Sequence, residues 1–130
     1  MTKESQQPQI REGFFNSLLD ELLDRIASEM NPETRKKLIF VAGSGHADLA
    51  QAIATDLEIG LTSVELSKFA NGEIYCRYGE NIRGGDVFVF QTHGGASIND
   101  ALIEQSIMID AAKRASAKRI TAVAPFYGYA

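Results

Sequence analysis

Apolar residues recur at spacings of three and four over the first quarter of the chain: Phe14, Phe15, Leu18, Leu19, Leu22, Leu23, Ile26 and Met30. That is the period of one helical face, and Asp20, Glu21, Asp24 and Arg25 fall on the opposite one. Asn31-Pro32 ends the pattern, because the residue before a proline is pushed out of the helical region. The first ten residues are polar and Gln-rich, with Pro8 as a breaker, and are expected to be disordered. A helix with such a stripe must bury it, on its own domain or on a partner subunit. Its acidic polar face argues against a membrane surface, where basic faces are usual.

From Lys37 the period changes. Leu38-Ile39-Phe40-Val41-Ala42 is a continuous apolar run of the kind buried on both faces of a parallel sheet. It ends at Gly43-Ser44-Gly45, and His46–Leu57 then reads as a helix with Leu49, Ala52, Ile53 and Leu57 on its apolar side. Strands are predicted at Val64–Phe69 and Glu73–Tyr78, joined through Asn71-Gly72, a hairpin signal because both residues tolerate positive φ. Another strand follows at Asp86–Gln91. Ser97 or Asn99 can cap a helix running to about Ser116, whose last turn carries Lys113 and Arg114. Ile120–Pro125 is the last predicted strand. The alternation gives an α/β domain over residues 37–130, with a mainly parallel sheet and one inserted β-hairpin, preceded by a helical extension over residues 1–36.

Composition narrows the function. The chain has 130 residues, 45% of them hydrophobic, which suits one domain with a proper core. Thirteen basic against 17 acidic residues leave a net charge of −4, so a broad basic face for nucleic acid is not available. The clusters Arg35-Lys36-Lys37 and Lys118-Arg119 read as solvated patches. A single cysteine, Cys76, excludes an internal disulfide or a cysteine-based zinc cluster and reads as a half-buried structural thiol. There is no signal-peptide core and no stretch near the ~20 apolar residues that span a bilayer, so a cytoplasmic protein without a membrane partner is expected.

Generic chemical motifs are sparse. Gly43-Ser44-Gly45 opens like a dinucleotide fingerprint, but Asp48 stands where its third glycine belongs, so a tight strand-to-helix connection is the plainer reading. His46 is placed to cap the helix that follows. His93 lies in a Gly-rich loop after a strand, yet its spacing to His46 makes no metal pattern. Phe69-Ala70-Asn71-Gly72-Glu73 puts an aromatic ring, an amide and a carboxylate around one turn, groups able to stack on and hydrogen-bond a base. In open α/β sheets ligands collect beyond the carboxyl ends of the strands, and this chain stops there, at Tyr129-Ala130, which predicts a truncated domain.

The order of these segments resembles the ribose-phosphate pyrophosphokinase (PRPP synthetase) family. The matching blocks are Leu38–Gly43, Phe69–Glu73, Gly79–Asp86, Ser97–Asp100, Met108–Ala111, Lys113–Ala117, Arg119–Val123 and Pro125–Ala130. The likeness is collinear over residues 37–130 and corresponds to most of the family's N-terminal domain, while residues 1–36 have no counterpart in it. It implies a phosphoribosyltransferase-like three-layer domain. It also implies transfer of the diphosphoryl group of ATP to ribose 5-phosphate with Mg²⁺, giving PRPP and AMP, by homo-oligomers that are generally hexamers. By resemblance, the hairpin reaches a neighbouring subunit's site, where Phe69 stacks on adenine and Asn71 and Glu73 make polar contacts to it. Asn81 and Arg83 match a regulatory site for phosphate and ADP, with Asn where some members have Ser.

After the Tyr-Ala step the family continues with an Arg-Gln-Asp motif, a metal-binding His, a flexible catalytic loop and the ribose-phosphate and diphosphate loops. None of these is within the 130 residues, so no catalytic residue and no metal ligand is assigned, and the chain alone is expected to be inactive. The alternative is a non-catalytic protein that docks on a full-length synthetase and alters its assembly or regulation, a reading favoured by the N-terminal helix.

Overall fold

A computed structural model describes residues 9–28 and 37–130. In chain order the elements are α1 (Gln9–Ser28), β1 (Leu38–Ala42), α2 (Ala47–Asp56), β2 (Val64–Lys68), β3 (Ile74–Tyr78), β4 (Asp86–Phe90), α3 (Ile98–Arg114) and β5 (Arg119–Val123). β1, β4 and β5 form a parallel sheet in the order β1-β4-β5, with Leu38 and Arg119 both in register with Asp86. β2 and β3 pair antiparallel as a separate two-stranded sheet, so the hairpin is inserted in the chain between β1 and β4 without joining the parallel ladder.

β4 explains the layering. All five of its residues are buried, and strand alternation sends Phe88 and Phe90 to one face and Val87 and Val89 to the other. The first face packs with Phe40 and Val123 against Leu49 and Ile53 of α2 and Leu22 and Ile26 of α1. The second packs against Met108 and Ala112 of α3, with Val64, Leu66, Cys76 and Tyr78 of the hairpin at its margin. Helix, sheet and helix give the three-layer α/β arrangement expected. At the amino ends of the strands, Arg119 Nε and Nη2 donate to both carboxylate oxygens of buried Asp86, at 3.0 and 2.5 Å. This paired contact joins the first residues of β4 and β5 and fixes their register.

Local signals set the boundaries with small corrections. α1 begins at Gln9, so the polar start gives way to helix before residue 10. Residues 1–8, Met30 and Asn31-Pro32 lie outside the described residues, as do the side chains of Phe14 and Phe15. β5 ends at Val123, two residues short of Pro125, which has no N–H to give a ladder. Ser97, of the two candidates, caps α3 by accepting from Asp100 N at 3.2 Å. His46 caps α2 as expected, its Nδ1 accepting from Leu49 N at 3.1 Å. The hairpin turn differs from the reading in which both Asn71 and Gly72 take positive φ. Only Gly72 does (φ 90°), in a three-residue loop closed by Gly72 N–H to Phe69 O (2.9 Å) and Phe69 N–H to Glu73 O (2.8 Å). Asn71 contributes through its side chain, whose Oδ1 accepts from Glu73 N at 3.1 Å.

α1 turns the described part of its stripe, Leu18 to Ile26, to its own core. Leu22 and Ile26 are 6% and 2% exposed, Leu18, Leu19 and Leu23 are partly buried beside them, and Asp20, Glu21, Asp24 and Arg25 face solvent. Among the described residues no helix is long and apolar enough to cross a membrane. Replacing Ile26 by Ala removes side-chain atoms from a filled core and leaves a cavity. It is expected to lower the unfolding free energy by about 2–4 kcal/mol in a urea titration followed by circular dichroism.

Candidate functional site

The hairpin tip carries the most exposed chemistry. Residues 67–73 are all exposed, and Phe69 leaves 54% of its surface in solvent. Its ring is steadied by Tyr75, edge to face at 5.8 Å between centroids and 74° between planes. Asn71 Nδ2 donates to Glu73 Oε2 at 2.7 Å, which holds the amide and the carboxylate side by side next to the ring. The other carboxylate oxygen of Glu73 has no partner among the described residues. An aromatic face, a carboxylate that accepts from an exocyclic amine and an amide that both donates and accepts make a set suited to a flat heteroaromatic ring.

Behind the tip, Phe69, Gly72, Glu73 and Ile74 face Asn99, Asp100, Ile103 and Ile107 of α3 across an open groove of about 510 Å³. Lys68 Nζ meets Asp100 Oδ2 at 2.5 Å, an exposed ion pair that ties the end of β2 to the first turn of α3. Sequence reasoning did not single out Lys68, Asn99, Asp100 or Ile103 as site residues. Ser97–Asp100 was visible as a capped helix start and as one of the matching blocks, with no site role, and its meeting with the hairpin depends on a contact between segments some thirty residues apart.

Asn81 and Arg83 lie elsewhere. They sit in the loop between β3 and β4, at the amino end of the parallel strands, whereas the tip lies at the far end of the hairpin. β3 lies between the two groups, and at about 3.4 Å per residue its five residues span ~14 Å. Asn81 Oδ1 accepts from Arg83 N at 3.1 Å, which turns the chain so that both side chains are exposed around the buried anchor Ile82. The guanidinium of Arg83 has no partner among the described residues and is free to receive an anion. The structure thus brings Phe69, Asn71 and Glu73 together and keeps Asn81 and Arg83 as a second group.

The Gly43-Ser44-Gly45 turn is occupied from within. Glu104 Oε1 accepts from Ser44 N at 2.6 Å and from Gln91 Nε2 at 2.7 Å, and Gln91 Oε1 accepts from Gly45 N at 2.9 Å. A Cβ on Gly43 would come within 2.6 Å of both Gln91 and Glu104. A side chain at Gly43 would press on the ends of these two side chains, and one at Gly45 on the Thr92 carbonyl as well; a carboxylate of the protein already stands where a phosphate would bind the backbone N–H groups. The connection reading holds. No three His, Cys, Asp or Glu side chains converge on a metal position among the described residues, so no chemistry is assigned here to the Mg²⁺ that the resemblance implies.

Cys76 and Tyr78, on the core side of β3, titrate unusually. Burial, and secondarily the charge of Glu104, pushes the Cys76 thiol up to about 11 from an ordinary 9.0. Burial likewise raises the Tyr78 hydroxyl, which donates to Met108 O at 2.9 Å, and Cys76 adds to that rise. Cys76 is thus a structural thiol and a poor nucleophile. Above the ordinary thiol value the folded chain keeps protons that the unfolded chain has lost. The stabilisation is complete below pH 9.0 and falls as the pH rises through about 11. The urea midpoint is therefore expected to drop across this window. Iodoacetamide near neutral pH is expected to label Cys76 far more slowly in the native chain than in urea.

Residues 38–130 match the family described as the N-terminal domain of ribose phosphate pyrophosphokinase. The chain is 52% identical over 98 residues to the ribose-phosphate pyrophosphokinase of Corynebacterium efficiens, covering 75% of this chain and 30% of that protein. Identity, length and coverage are the same for the enzyme of Mycobacterium tuberculosis. The crystal structure of phosphoribosylpyrophosphate synthetase from Mycobacterium smegmatis superposes with a TM-score of 0.69 at 50% identity, over 72% of this chain and 31% of that one. The chain thus spans about 30% of the length of the curated relatives it matches. A purine phosphoribosyltransferase from Pyrococcus horikoshii shares the fold at 13% identity, with a TM-score of 0.60 over 89% of this chain and 77% of its own. That is more of the chain than residues 37–130 contain, so the fold likeness takes in part of the N-terminal extension.

Proposed function

Because the chain belongs to the family of the ribose phosphate pyrophosphokinase N-terminal domain, we propose that it is the adenine-presenting part of a ribose-phosphate diphosphokinase. In that reaction the diphosphoryl group of ATP passes to the C1 hydroxyl of ribose 5-phosphate, giving PRPP and AMP for nucleotide synthesis. The observation that carries the reading is the exposed tip, where Phe69 offers a ring face beside the paired Asn71 and Glu73. In a homo-oligomer, a hexamer by family resemblance, Phe69 stacks on the adenine of ATP held by the neighbouring subunit, and Asn71 and Glu73 bond its edge. Arg83, supported by Asn81, receives phosphate or ADP at a separate regulatory position. Mg²⁺ and ribose 5-phosphate are bound by parts of the enzyme that these 130 residues do not supply, so the chain alone forms no AMP.

The docking alternative drew on the N-terminal helix. Leu22 and Ile26 are buried in the domain's own core, so that part of the helix's stripe is not available to another protein.

Complementation tests the proposal. A full-length relative whose hairpin phenylalanine is replaced by alanine is assembled with this chain, and AMP formation from ATP and ribose 5-phosphate is followed. Activity is expected to return with the chain and not with its Phe69→Ala variant. The variant should raise the KM for ATP roughly tenfold, as expected for the loss of one stacked base. Mixed oligomers that form and show no difference between the two chains would refute the assignment of Phe69. Arg83→Ala is expected to abolish the response to phosphate while leaving the KM for ATP unchanged.

A further inference from the structure

Among the described residues, the functional reading leaves a fully buried histidine unused. His93 follows β4, has no exposed surface and engages both ring nitrogens. Nδ1 accepts from Gly128 N at 3.0 Å, and Nε2 lies 2.7 Å from Gln105 Oε1. The tautomer follows from the partners. Gln105 Nε2 donates to Val89 O at 2.9 Å and, more weakly, to Val123 O at 3.4 Å, so its oxygen must be the atom facing the ring. A backbone N–H can only donate, so Nδ1 is bare and the ring proton sits on Nε2.

Apart from Gln105, the partners of His93 lie in the loop that leaves β5. Its main-chain N–H donates to Phe126 O at 2.9 Å, and its ring packs on Tyr127 at 5.4 Å between centroids. Gly128 is pressed so closely that a Cβ there would lie 2.7 Å from Ile98 Cγ2 and 3.1 Å from His93 Cβ. Tyr129, at φ 64°, is tied to Asn99 of α3 through its hydroxyl. Phe126, Tyr127 and Tyr129 nonetheless remain exposed. An exposed aromatic loop pinned from beneath by a buried polar network occupies the carboxyl ends of β4 and β5, where ligands of open α/β sheets are contacted.

We propose that His93 is a positioning residue: its neutral ring, oriented by Gln105, locks Gly128 and so sets the aromatic loop 126–129 at the ligand-facing end of the sheet. The identity of the ligand, ATP, rests on the function proposed above; the locking does not. Two replacements separate this role from core filling. The amide oxygen of Asn in His93→Asn stands near the position of Nδ1 and can keep the bond to Gly128. The amide nitrogen of Gln in His93→Gln stands near Nε2 and keeps the side towards Gln105 while losing the acceptor for Gly128.

Hydrogen exchange by NMR on the full chain is expected to show Gly128 N–H protection retained in His93→Asn. In His93→Gln it should fall about tenfold, the size of one hydrogen bond. Equal loss in both variants would overturn the proposal. The unmodified chain supplies a check that needs no variant, since ¹⁵N shifts of His93 should report a protonated Nε2 and a bare Nδ1, and the opposite tautomer would sink it. In an NMR titration of the chain with ATP, the amide shifts of Tyr127 and Tyr129 are expected to move in the unmodified chain and in His93→Asn and to stay in place in His93→Gln. Equal ATP-induced shifts in both variants, or none in the unmodified chain, with the exchange difference intact would remove the ligand-facing role. Failure of Phe69→Ala to weaken ATP would instead remove the adenine reading, so the two fail separately.

Discussion

The burial of β4 on both faces is the constraint from which the rest follows. A strand of Asp-Val-Phe-Val-Phe has no side to turn to water, so it must lie in the middle of a sheet with helices above and below. β1 and β5 supply the flanking ladders. α2 with α1 covers the phenylalanine face, and α3 covers the valine face. The one acidic residue of the strand, Asp86, is tolerated in burial because Arg119 meets both of its oxygens from the adjacent strand.

The same strand organises the polar end of the molecule. Gln91 and His93, just past β4, each reach a neighbour from α3, Glu104 for one and Gln105 for the other. Through these pairs the loops after β1 and β5 are both bound to one helix. Glu104 answers the N–H of Ser44, and His93 answers that of Gly128. The backbone donors that other α/β folds turn towards a phosphate are satisfied internally here. The exposed, unsatisfied chemistry has moved outwards to the hairpin tip and to Arg83.

α1 has a separate meaning. Residues 9–28 precede the family-matched region, yet Leu22 and Ile26 belong to the same core as Phe88, Phe90 and Val123. The extension is thus an integral cover for one sheet face, and the acidic surface it presents accounts for much of the negative charge of the N-terminal segment.

Much of this was legible from residue order alone. Periodicity placed each element to within a few residues, because two-sided apolar runs, helical stripes and caps such as Ser97 and His46 are local properties. The motif Phe69–Glu73 was readable as a turn bearing base-binding groups, since all its atoms lie within five residues. The Asn-Gly pair concealed the actual turn, because only loop closure between β2 and β3 decides which residue takes positive φ. Tertiary structure alone decided that α1 packs on its own domain, that Glu104 and Gln91 fill the glycine turn, and that Lys68 meets Asp100. It also decided that His93 is bound between Gln105 and Gly128. The polar contacts among these join residues 12 to 60 apart in the chain, and no local pattern records a pairing made by the folding of the sheet.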